Sequence, residues 1–439
     1  MQRRLGPAWP ALRTALDAPA PISIRLHRDK GSLGALPADA DGRVLWHARG
    51  HYLAERPSFT LDPAFHAGAY YVQEAASMFV AEAFRRLRPL LGDGPLRVLD
   101  MCAAPGGKTT ALLDELSATD LLVANEVIQN RAGILRYNLT KWGRANVAVS
   151  NHDPKDFAGL TGFFDLVLID APCSGEGLFR RDPAARAHWS PAAVQHCALR
   201  QQRILADTLP LLRPGGIVLY STCTYNADEN ERQIAALVDT GYLPLPLALP
   251  PEWGVESRRY GHQFYPHRTR SEGFYLAAAQ KTTGESYIFD KSRELAKLNR
   301  VGRSGREALN RFLPEQEGFF ESGEGQLRYL PPAHAANWRA LDRHLRRKAF
   351  GLKIGALKRE QLVPDAALAL AVDLPTTFTD AAVDRTTALA YLRGEAIQLP
   401  AIAPGWVRIC YGELGLGWAK VLPRRVNNYY PKGWRIRMR

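Results

Sequence analysis

The chain has 439 residues and a formal net charge of +13, with 46% hydrophobic and 23% charged residues. This length exceeds one ordinary domain, and the balance is that of a globular protein whose core needs no disulfides. No run of about 18 apolar residues could span a bilayer and no signal peptide is recognisable, so the sequence predicts a cytoplasmic protein with reduced thiols and no membrane contact.

The first region of the chain covers residues 1–75. Its composition is mixed, and it is predicted to form a small α+β unit. The candidate strands are SIRLH at 23–27 and RVLWHA at 43–48.

Between residues 96 and 280, short apolar segments alternate with amphipathic helical segments such as 127–141 and 192–212. The predicted strands are LRVLD (96–100), LLVANE (121–126), NVAVS (146–150), FFDLVLID (163–170), GIVLYST (216–222) and GFYLAAAQ (273–280). This alternation predicts a parallel α/β sheet with helices on both faces. Ligands of such sheets bind beyond the carboxyl ends of the strands.

A glycine-containing loop, DMCAAPGGKTT at 100–110, directly follows the first of these strands. Gly106 and Gly107 allow a tight turn close to a ligand, and the helix that starts there presents free N–H groups. A Walker A motif would need glycine where Cys102 stands, and the dinucleotide fingerprint is also missing. What remains is a nucleoside site without a phosphate cradle, which fits S-adenosylmethionine.

Acidic residues stand at the ends of successive predicted strands. Glu126 can accept hydrogen bonds from ribose hydroxyls, as acidic residues do in dinucleotide-binding folds. Asp153 is placed to receive the adenine amine, and Asp170 ends the fourth strand. A single acid at such a position is as often a helix cap. Together with Asp100, however, the series favours a cofactor site.

Two cysteines follow neighbouring strands, Cys173 within DAPCSGEG (170–177) and Cys223 within STCTYN (221–226). A thiolate is a strong nucleophile, and a polar helix-end setting can lower its pKa. Thiolate addition at carbon 6 of cytosine makes carbon 5 able to attack an activated methyl group. Asp170 could supply a hydrogen bond or a proton at the pyrimidine ring. The five cysteines show no metal-binding spacing, so no metal is predicted.

The last part of the chain is predicted to contain a linker around 281–325 and a third region over 326–439, which ends in short strands and turns from residue 405. Residues 424–439 carry no acidic residue. Their basic residues are interleaved with Tyr429, Tyr430 and Trp434. Cations beside aromatic faces suit phosphates and unstacked bases, so this tail is predicted to dock RNA. The alternative is a solvated terminal strand.

Three motifs together resemble those of the RNA 5-methylcytosine methyltransferases of Sun/Fmu type: CAAPGGKT (102–109), DAPCSGEG (170–177) and STCTYN followed by ENE (221–231). FHAGAYYVQEAASM (65–78) and GLGWAKVLPRRVNNYYPKGWR (415–435) further resemble the bacterial branch that methylates small-subunit ribosomal RNA. The resemblance implies a Rossmann-like S-adenosylmethionine-dependent methyltransferase sheet with a C-terminal PUA-like domain. The implied partner is 16S ribosomal RNA or the small ribosomal subunit, and a monomer is the default expectation.

The resemblance also implies roles for individual residues. Cys223 would be the nucleophile, and Cys173 would help to release the methylated product. Cofactor contacts would come from Cys102, Ala103, Ala104, Pro105, Gly106, Gly107, Lys108, Glu126, Arg131, Asp153 and Asp170. We expect an N-terminal RNA-binding region over 1–75, a catalytic domain over 76–283, a linker and intermediate region over 284–375, and a PUA-like RNA-binding domain over 376–439.

Alternatives stay open at this point. The substrate could be transfer RNA instead of ribosomal RNA. The cysteine roles could be reversed, as in DNA 5-methylcytosine enzymes, where the cysteine of a Pro-Cys pair such as Pro172-Cys173 attacks. The chain could also be a catalytically silent RNA-binding ribosome assembly factor. The presence of both cysteines, Asp170 and the glycine loop argues against the last alternative.

Overall fold

A computed structural model describes residues 5–32, 34, 36–289, 299–313, 317–321, 325–358, 361–374 and 376–438. Within these ranges the strands form four sheets that follow one another along the chain. One later strand joins the central sheet and not the sheet formed by its neighbours in the chain. None of the described helices has the length and apolarity that a bilayer crossing requires.

The N-terminal sheet is antiparallel, in the order β2-β3-β1-β4. Its strands are β1 (Ile22–Leu26), β2 (Ala40–Arg43), β3 (Gly50–Leu53) and β4 (Tyr70–Val72), accompanied by helices Trp9–Asp17 and Pro63–Ala67. The strand predicted at 23–27 is confirmed. The strand predicted at 43–48 is wrong, because most of this segment forms the turn between β2 and β3. Val44 and Trp46 of this segment are buried for packing, and Trp46 Nε1 donates to the Ala75 carbonyl oxygen at 2.7 Å.

The central sheet contains β5 (Arg97–Asp100), β6 (Leu121–Asn125), β7 (Val147–Ser150), β8 (Phe164–Asp170), β9 (Leu212–Thr222), β10 (Leu243–Pro244), β11 (Glu256–Arg258), β12 (Gly261–Phe264) and β13 (Phe274–Gln280). Strands β9, β8, β5, β6 and β7 are parallel neighbours in that order. Strand β13 lies antiparallel to β9 and continues the sheet into β12 and β11. The six strands predicted between residues 96 and 280 are confirmed, and the sheet is the Rossmann-like one expected. The prediction of a parallel sheet is wrong at one side, where β13 and the unpredicted strands β10, β11 and β12 pair antiparallel.

Helices cover both faces of this sheet: Phe79–Leu87, Gly107–Leu113, Gln129–Trp142, Pro183–His188, Pro191–Thr208 and Glu231–Asp239. Strand β8 shows why its sequence is continuously apolar. Leu166 and Leu168 pack into the core on one face, and Val167 and Ile169 pack into the core on the other. A strand buried on both faces has no polar alternation. The polar residues are therefore confined to the strand ends, where the motifs lie.

After the central sheet the chain forms β14 (Asn299–Arg300), β15 (Phe319–Glu321), β16 (Gln326–Tyr329), β17 (Lys348–Phe350), β18 (Leu352–Lys358) and β19 (Gln361–Pro364), with helices Arg303–Asn310 and Ala335–His344. Strand β17 pairs antiparallel with β7 and extends the central sheet. The other strands form a sheet of their own, in the order β14-β15-β16-β18-β19. The linker predicted around 281–325 is therefore wrong for its later part, where Leu309 and Leu313 are buried in a core.

The C-terminal sheet has the order β20-β21-β22-β23: β20 (Thr379–Val383), β21 (Gly405–Tyr411), β22 (Leu414–Leu422) and β23 (Arg425–Asn428), with helices Ala366–Ala369 and Arg385–Arg393. The short strands predicted from residue 405 are confirmed.

The tail aromatics differ in exposure. Tyr430 is buried, Trp434 packs against Tyr137 with ring centroids 4.8 Å apart, and Tyr429 is exposed. Of the predicted tail, Arg439 lies outside the described residues.

Candidate active site

The two cysteine loops meet where β8 and β9 end side by side. Asp170, the last residue of β8, is the register partner of Ser221 in the parallel strand β9. The loops that follow therefore leave the same edge of the sheet. They bring Cys173 Sγ and Cys223 Sγ to 3.2 Å from each other. The sequence placed both cysteines in one crevice, and the structure places them in contact.

This contact makes the two thiols unequal. A hydrogen bond from the Cys173 thiol lowers the pKa of Cys223, and the Lys108 charge lowers it further, while burial and Asp170 act against this. The same contact, together with burial, raises the pKa of Cys173 well above its usual range. Cys223 is therefore the sulfur that is favoured as a thiolate.

An ion pair lies beside the two sulfurs. Lys108 Nζ donates to Asp170 Oδ2 at 2.8 Å, and Ser221 Oγ donates to Asp170 Oδ1 at 2.8 Å. Burial acts against a charged lysine here, but the Asp170 carboxylate outweighs it and raises the pKa of Lys108. Lys108 is therefore held in its charged form, at the point where a ligand would meet the sulfurs.

Two adjoining cavities open above this point. The first has a volume of about 250 Å³, and its lining includes Cys102, Ala104, Lys108, Glu126, Arg131, Asp170, Cys173 and Cys223. The second has a volume of about 310 Å³, and its lining includes Asp100, Cys102, Ala103, Ala104, Pro105, Gly107, Lys108, Asp170 and Cys223. The structure thus brings most of the predicted site residues together around one divided cleft. Gly106 and Asp153 line neither cavity.

The glycine loop has the features of a ligand cradle. Gly106 has a φ of 114°, in the region that favours glycine, and precedes helix Gly107–Leu113. A Cβ atom on Gly107 would lie 3.3 Å from the Tyr71 ring. Beneath the loop, Asp100 is fully buried, and its Oδ1 atom has no hydrogen-bond partner in the described part of the chain. Burial raises the pKa of Asp100 to about 7. An unpartnered carboxylate oxygen below a glycine turn fits the amino group of S-adenosylmethionine.

Glu126 and Arg131 form the opposite wall of the first cavity. Glu126 Oε1 accepts a hydrogen bond from the Ile128 backbone N–H at 2.9 Å, so the side chain also caps the next helix. Arg131 lies 3.3 Å from Glu126 Oε2 and donates to the Ala104 carbonyl oxygen at 2.8 Å. The arginine thereby joins the strand-end acid to the glycine loop. This wall fits the ribose of a nucleoside cofactor.

Asp153 has a different environment. Its Oδ1 atom accepts from the Lys155 backbone N–H at 3.3 Å and caps the short helix Pro154–Leu160. Its Oδ2 atom lies 3.3 Å from Arg203. Pro154 lines the first cavity instead. The assignment of Asp153 as an adenine contact stays a prediction.

Family models match three parts of the chain. The model described as 16S rRNA methyltransferase RsmB/F matches residues 90–280. The model of the N-terminal domain of 16S rRNA methyltransferase RsmF matches residues 1–75, and the methyltransferase RsmF PUA domain model matches residues 378–436. The C-terminal sheet is therefore the PUA domain that the sequence predicted.

A full-length relative decides the family. The ribosomal RNA small subunit methyltransferase F of Erwinia tasmaniensis is 31% identical over 417 residues, which cover 89% of this chain and 84% of that protein. The chain belongs to the ribosomal RNA small subunit methyltransferase F family. The protein of the same name from Escherichia coli O7:K1 is 38% identical over 223 residues, which are 49% of this chain. In that match the chain spans about half the length of its relative, 46%.

Solved structures share the fold of this family member. A methyltransferase homolog from Pyrococcus horikoshii is 30% identical with a TM-score of 0.54, and the match covers 63% of this chain and 91% of that one. NSun6 from Pyrococcus horikoshii, solved with SFG, is 20% identical with a TM-score of 0.53 and covers 62% of this chain and 94% of that one. The latter likeness shows the fold alone.

The second cavity of this family member also holds acidic residues that the motifs did not reveal. Glu272 is buried, and neither of its carboxylate oxygens has a hydrogen-bond partner among the described residues. Its backbone N–H donates to Glu74 Oε1 at 2.9 Å. Burial and the Glu74 charge raise the pKa of Glu272 to about 7. No motif marks Glu272 in the sequence. Its segment lies beside Cys223 because Tyr275 of β13 pairs with Thr222 of β9.

Proposed function

We propose that this chain transfers a methyl group from S-adenosylmethionine to carbon 5 of cytosine in 16S ribosomal RNA. The observation that carries the proposal is the 3.2 Å contact between the sulfurs of Cys173 and Cys223, beside the Lys108–Asp170 ion pair. The names of the matching family model and of the Erwinia relative support a small-subunit ribosomal RNA substrate.

The residues of the first cavity would hold the cofactor. The glycine loop, Glu126 and Arg131 form its walls, and the buried Asp100 lies under the loop. When bound, S-adenosylmethionine supplies an electrophilic methyl group. The protein would orient the cofactor toward the sulfur pair. It would also place polar side chains where charge develops during the reaction.

The cysteines would divide the covalent chemistry. The Cys223 thiolate forms a bond to carbon 6 of the cytosine, and the electrons of the ring double bond move to carbon 5, which becomes nucleophilic. Lys108 and Asp170 provide hydrogen bonds to the ring as this charge develops. The electron pair at carbon 5 would then bond to the methyl group, with S-adenosylhomocysteine as the leaving group. The proton on carbon 5 leaves to a base, the double bond forms again and the bond to Cys223 breaks. A hydrogen bond from the Cys173 thiol stabilises the departing thiolate.

RNA capture would rest on the N-terminal region and the PUA domain. In the tail, Arg424, Arg425, Lys432 and Arg437 are exposed. These cations fit phosphate contacts. We propose further that the chain acts as a monomer in the cytoplasm.

The test is a methylation assay with labelled cofactor on 16S ribosomal RNA, small subunits and transfer RNA, followed by bisulfite sequencing. Methylation of a cytosine in either ribosomal substrate is expected. The Cys223→Ala variant should be inactive, and Cys197→Ala, which alters a cysteine on helix Pro191–Thr208, serves as the matched control and should remain active. Methylation of transfer RNA alone would change the assigned substrate to transfer RNA. Inactivity on every RNA would favour a catalytically silent ribosome assembly factor.

A further inference from the structure

Each of the two cysteine loops is followed by a glutamate whose carboxylate accepts hydrogen bonds from the other loop. Glu229, which follows Cys223 in the chain, reaches back to the residue after Cys173. Its Oε2 atom accepts from the Ser174 backbone N–H at 2.8 Å, and its Oε1 atom accepts from Ser174 Oγ at 2.5 Å. Gln201 Nε2 completes the arrangement by donating to Glu229 Oε2 and to the Pro172 carbonyl oxygen, both at 3.0 Å.

The opposite contact is made by Glu176, which follows Cys173 and reaches the residues after Cys223. Its Oε2 atom accepts from Thr224 Oγ1 and from the Tyr225 backbone N–H, both at 3.0 Å. The Gly177 backbone N–H adds a hydrogen bond to the Cys223 carbonyl oxygen at 2.8 Å. Each cysteine is thus located by a carboxylate from the loop of the other.

Both carboxylates are removed from solvent, since Glu176 is 2% exposed and Glu229 is 0% exposed. Burying a carboxylate is costly unless its oxygens accept several hydrogen bonds, and apolar packing would hold a loop at lower cost. This arrangement of hydrogen bonds therefore positions the two cysteine loops more than it stabilises the fold. It sets the distance between two sulfurs, and a shift of about 1 Å exceeds the reach of a sulfur hydrogen bond.

We propose that Glu229 and Glu176 are positioning residues that act on different steps of the reaction, Glu176 on attack by Cys223 and Glu229 on release assisted by Cys173. This inference rests on the proposed function. Loss of the Glu229 carboxylate frees the loop after Cys173 and leaves Cys223 held by Glu176. Loss of the Glu176 carboxylate frees the loop after Cys223 and leaves the nucleophile misplaced.

The experiment measures two quantities in a single turnover on the RNA that the methylation assay identifies as the substrate. These are the amount of methyl group transferred and the amount of covalent protein–RNA complex on denaturing gels. Glu229→Ala should keep methyl transfer and release the RNA about tenfold more slowly or worse, so that complex accumulates. Glu176→Ala should lose methyl transfer and complex together by a similar factor. Glu229→Gln, which retains an acceptor oxygen, should restore release in part.

Controls separate this inference from the proposed function. Wild type and Cys223→Ala test the proposed function, and Cys223→Ala/Glu229→Ala should form no complex. A complex in that double variant would overturn the role of Cys223. If Glu229→Ala folds poorly, Ser174→Ala removes the 2.5 Å hydrogen bond to Glu229 Oε1, together with the 3.2 Å contact between Ser174 Oγ and Thr224 Oγ1, and leaves the backbone bond to Glu229 in place. It should show the same accumulation in milder form. An unchanged ratio of complex to methylated product in Glu229→Ala, or in Ser174→Ala where that replaces it, would overturn the inference.

Discussion

The Arg25 guanidinium is buried against the Asp114 carboxylate, and this ion pair joins the N-terminal sheet to the helix that carries the glycine loop. Arg25 also donates to Thr110 Oγ1 at 2.6 Å and to Gln73 Oε1 at 2.8 Å, and lies over the Trp142 ring at 4.7 Å. A buried pair of this kind places one unit relative to another. The N-terminal region therefore supports the glycine loop directly.

Replacement of Arg25 should destabilise the chain strongly. Arg25→Ala leaves the Asp114 carboxylate buried without its main partner, which costs about 3–5 kcal/mol of unfolding free energy. Urea unfolding measures this loss. Lys155→Ala, at an exposed site, is the control and should change the unfolding free energy by less than about 0.5 kcal/mol. A loss of similar size in both variants would show that the buried pair has no special role.

The roles proposed for the two cysteines predict opposite results for the two cysteine variants. Cys223→Ala should give neither methyl transfer nor covalent complex, because the nucleophile is gone. Cys173→Ala should attack and methylate but release slowly, and should accumulate a denaturant-resistant protein–RNA complex. Denaturing gels with labelled RNA and S-adenosylmethionine distinguish the two. A trapped band from Cys223→Ala with none from Cys173→Ala would establish the reversed roles of the DNA enzymes.

Cofactor affinity should depend on Glu126 more than on Asp153. Glu126 lines the first cavity and Asp153 lines neither cavity. Glu126→Ala should weaken S-adenosylmethionine binding by about 1–3 kcal/mol through lost hydrogen bonds to the ribose. Asp153→Ala should weaken it by less, and calorimetry measures both. Equal losses would restore Asp153 as an adenine contact, and unchanged affinity in Glu126→Ala would remove that residue from the site.

Glu272 should make stability fall as pH rises. Its pKa is raised from an ordinary value near 4.5 to about 7, so the folded state binds more protons than the unfolded state between these values. The carboxyl group therefore costs nothing below both values and up to about 3 kcal/mol above both. Glu272→Gln should stabilise the chain at pH 8.5 by about 1–3 kcal/mol, and the gain should shrink toward pH 5.

Unfolding in urea at both pH values measures this gain. Glu252→Gln, at an exposed position, should show no such dependence on pH. A gain from Glu272→Gln that stays constant across the pH range would mean that the Glu272 carboxyl group does not titrate there.

The tail is best tested by its charges. Deletion of residues 405–439 would remove β21, β22 and β23 and with them the PUA sheet. Arg424→Ala/Arg425→Ala should weaken RNA binding and reduce the salt slope of the association constant by about 1.4–1.8, while cofactor affinity stays constant. Filter binding across salt concentrations measures the slope, and Arg88→Ala is the control. An unchanged slope would place RNA capture elsewhere.

The sequence by itself determined the parallel strands of the central sheet and the place of their motifs. Strands buried on both faces must be continuously apolar, and polar residues such as Asp100, Asp170 and Cys223 can then stand only at strand ends. That local rule also explains the failures. The segment around Val44 and Trp46 is apolar for burial in a turn, and the segment after residue 281 is too polar to reveal its strands.

Only the tertiary structure decided which polar groups meet. The 3.2 Å contact between Cys173 and Cys223 depends on the parallel pairing of β8 with β9, and the carboxylates of Glu176 and Glu229 have partners far away along the chain. The raised pKa of Glu272 depends on burial next to Glu74. Distance, burial and the strength of a charge are properties of the folded surroundings, because each depends on residues that are not neighbours in the sequence.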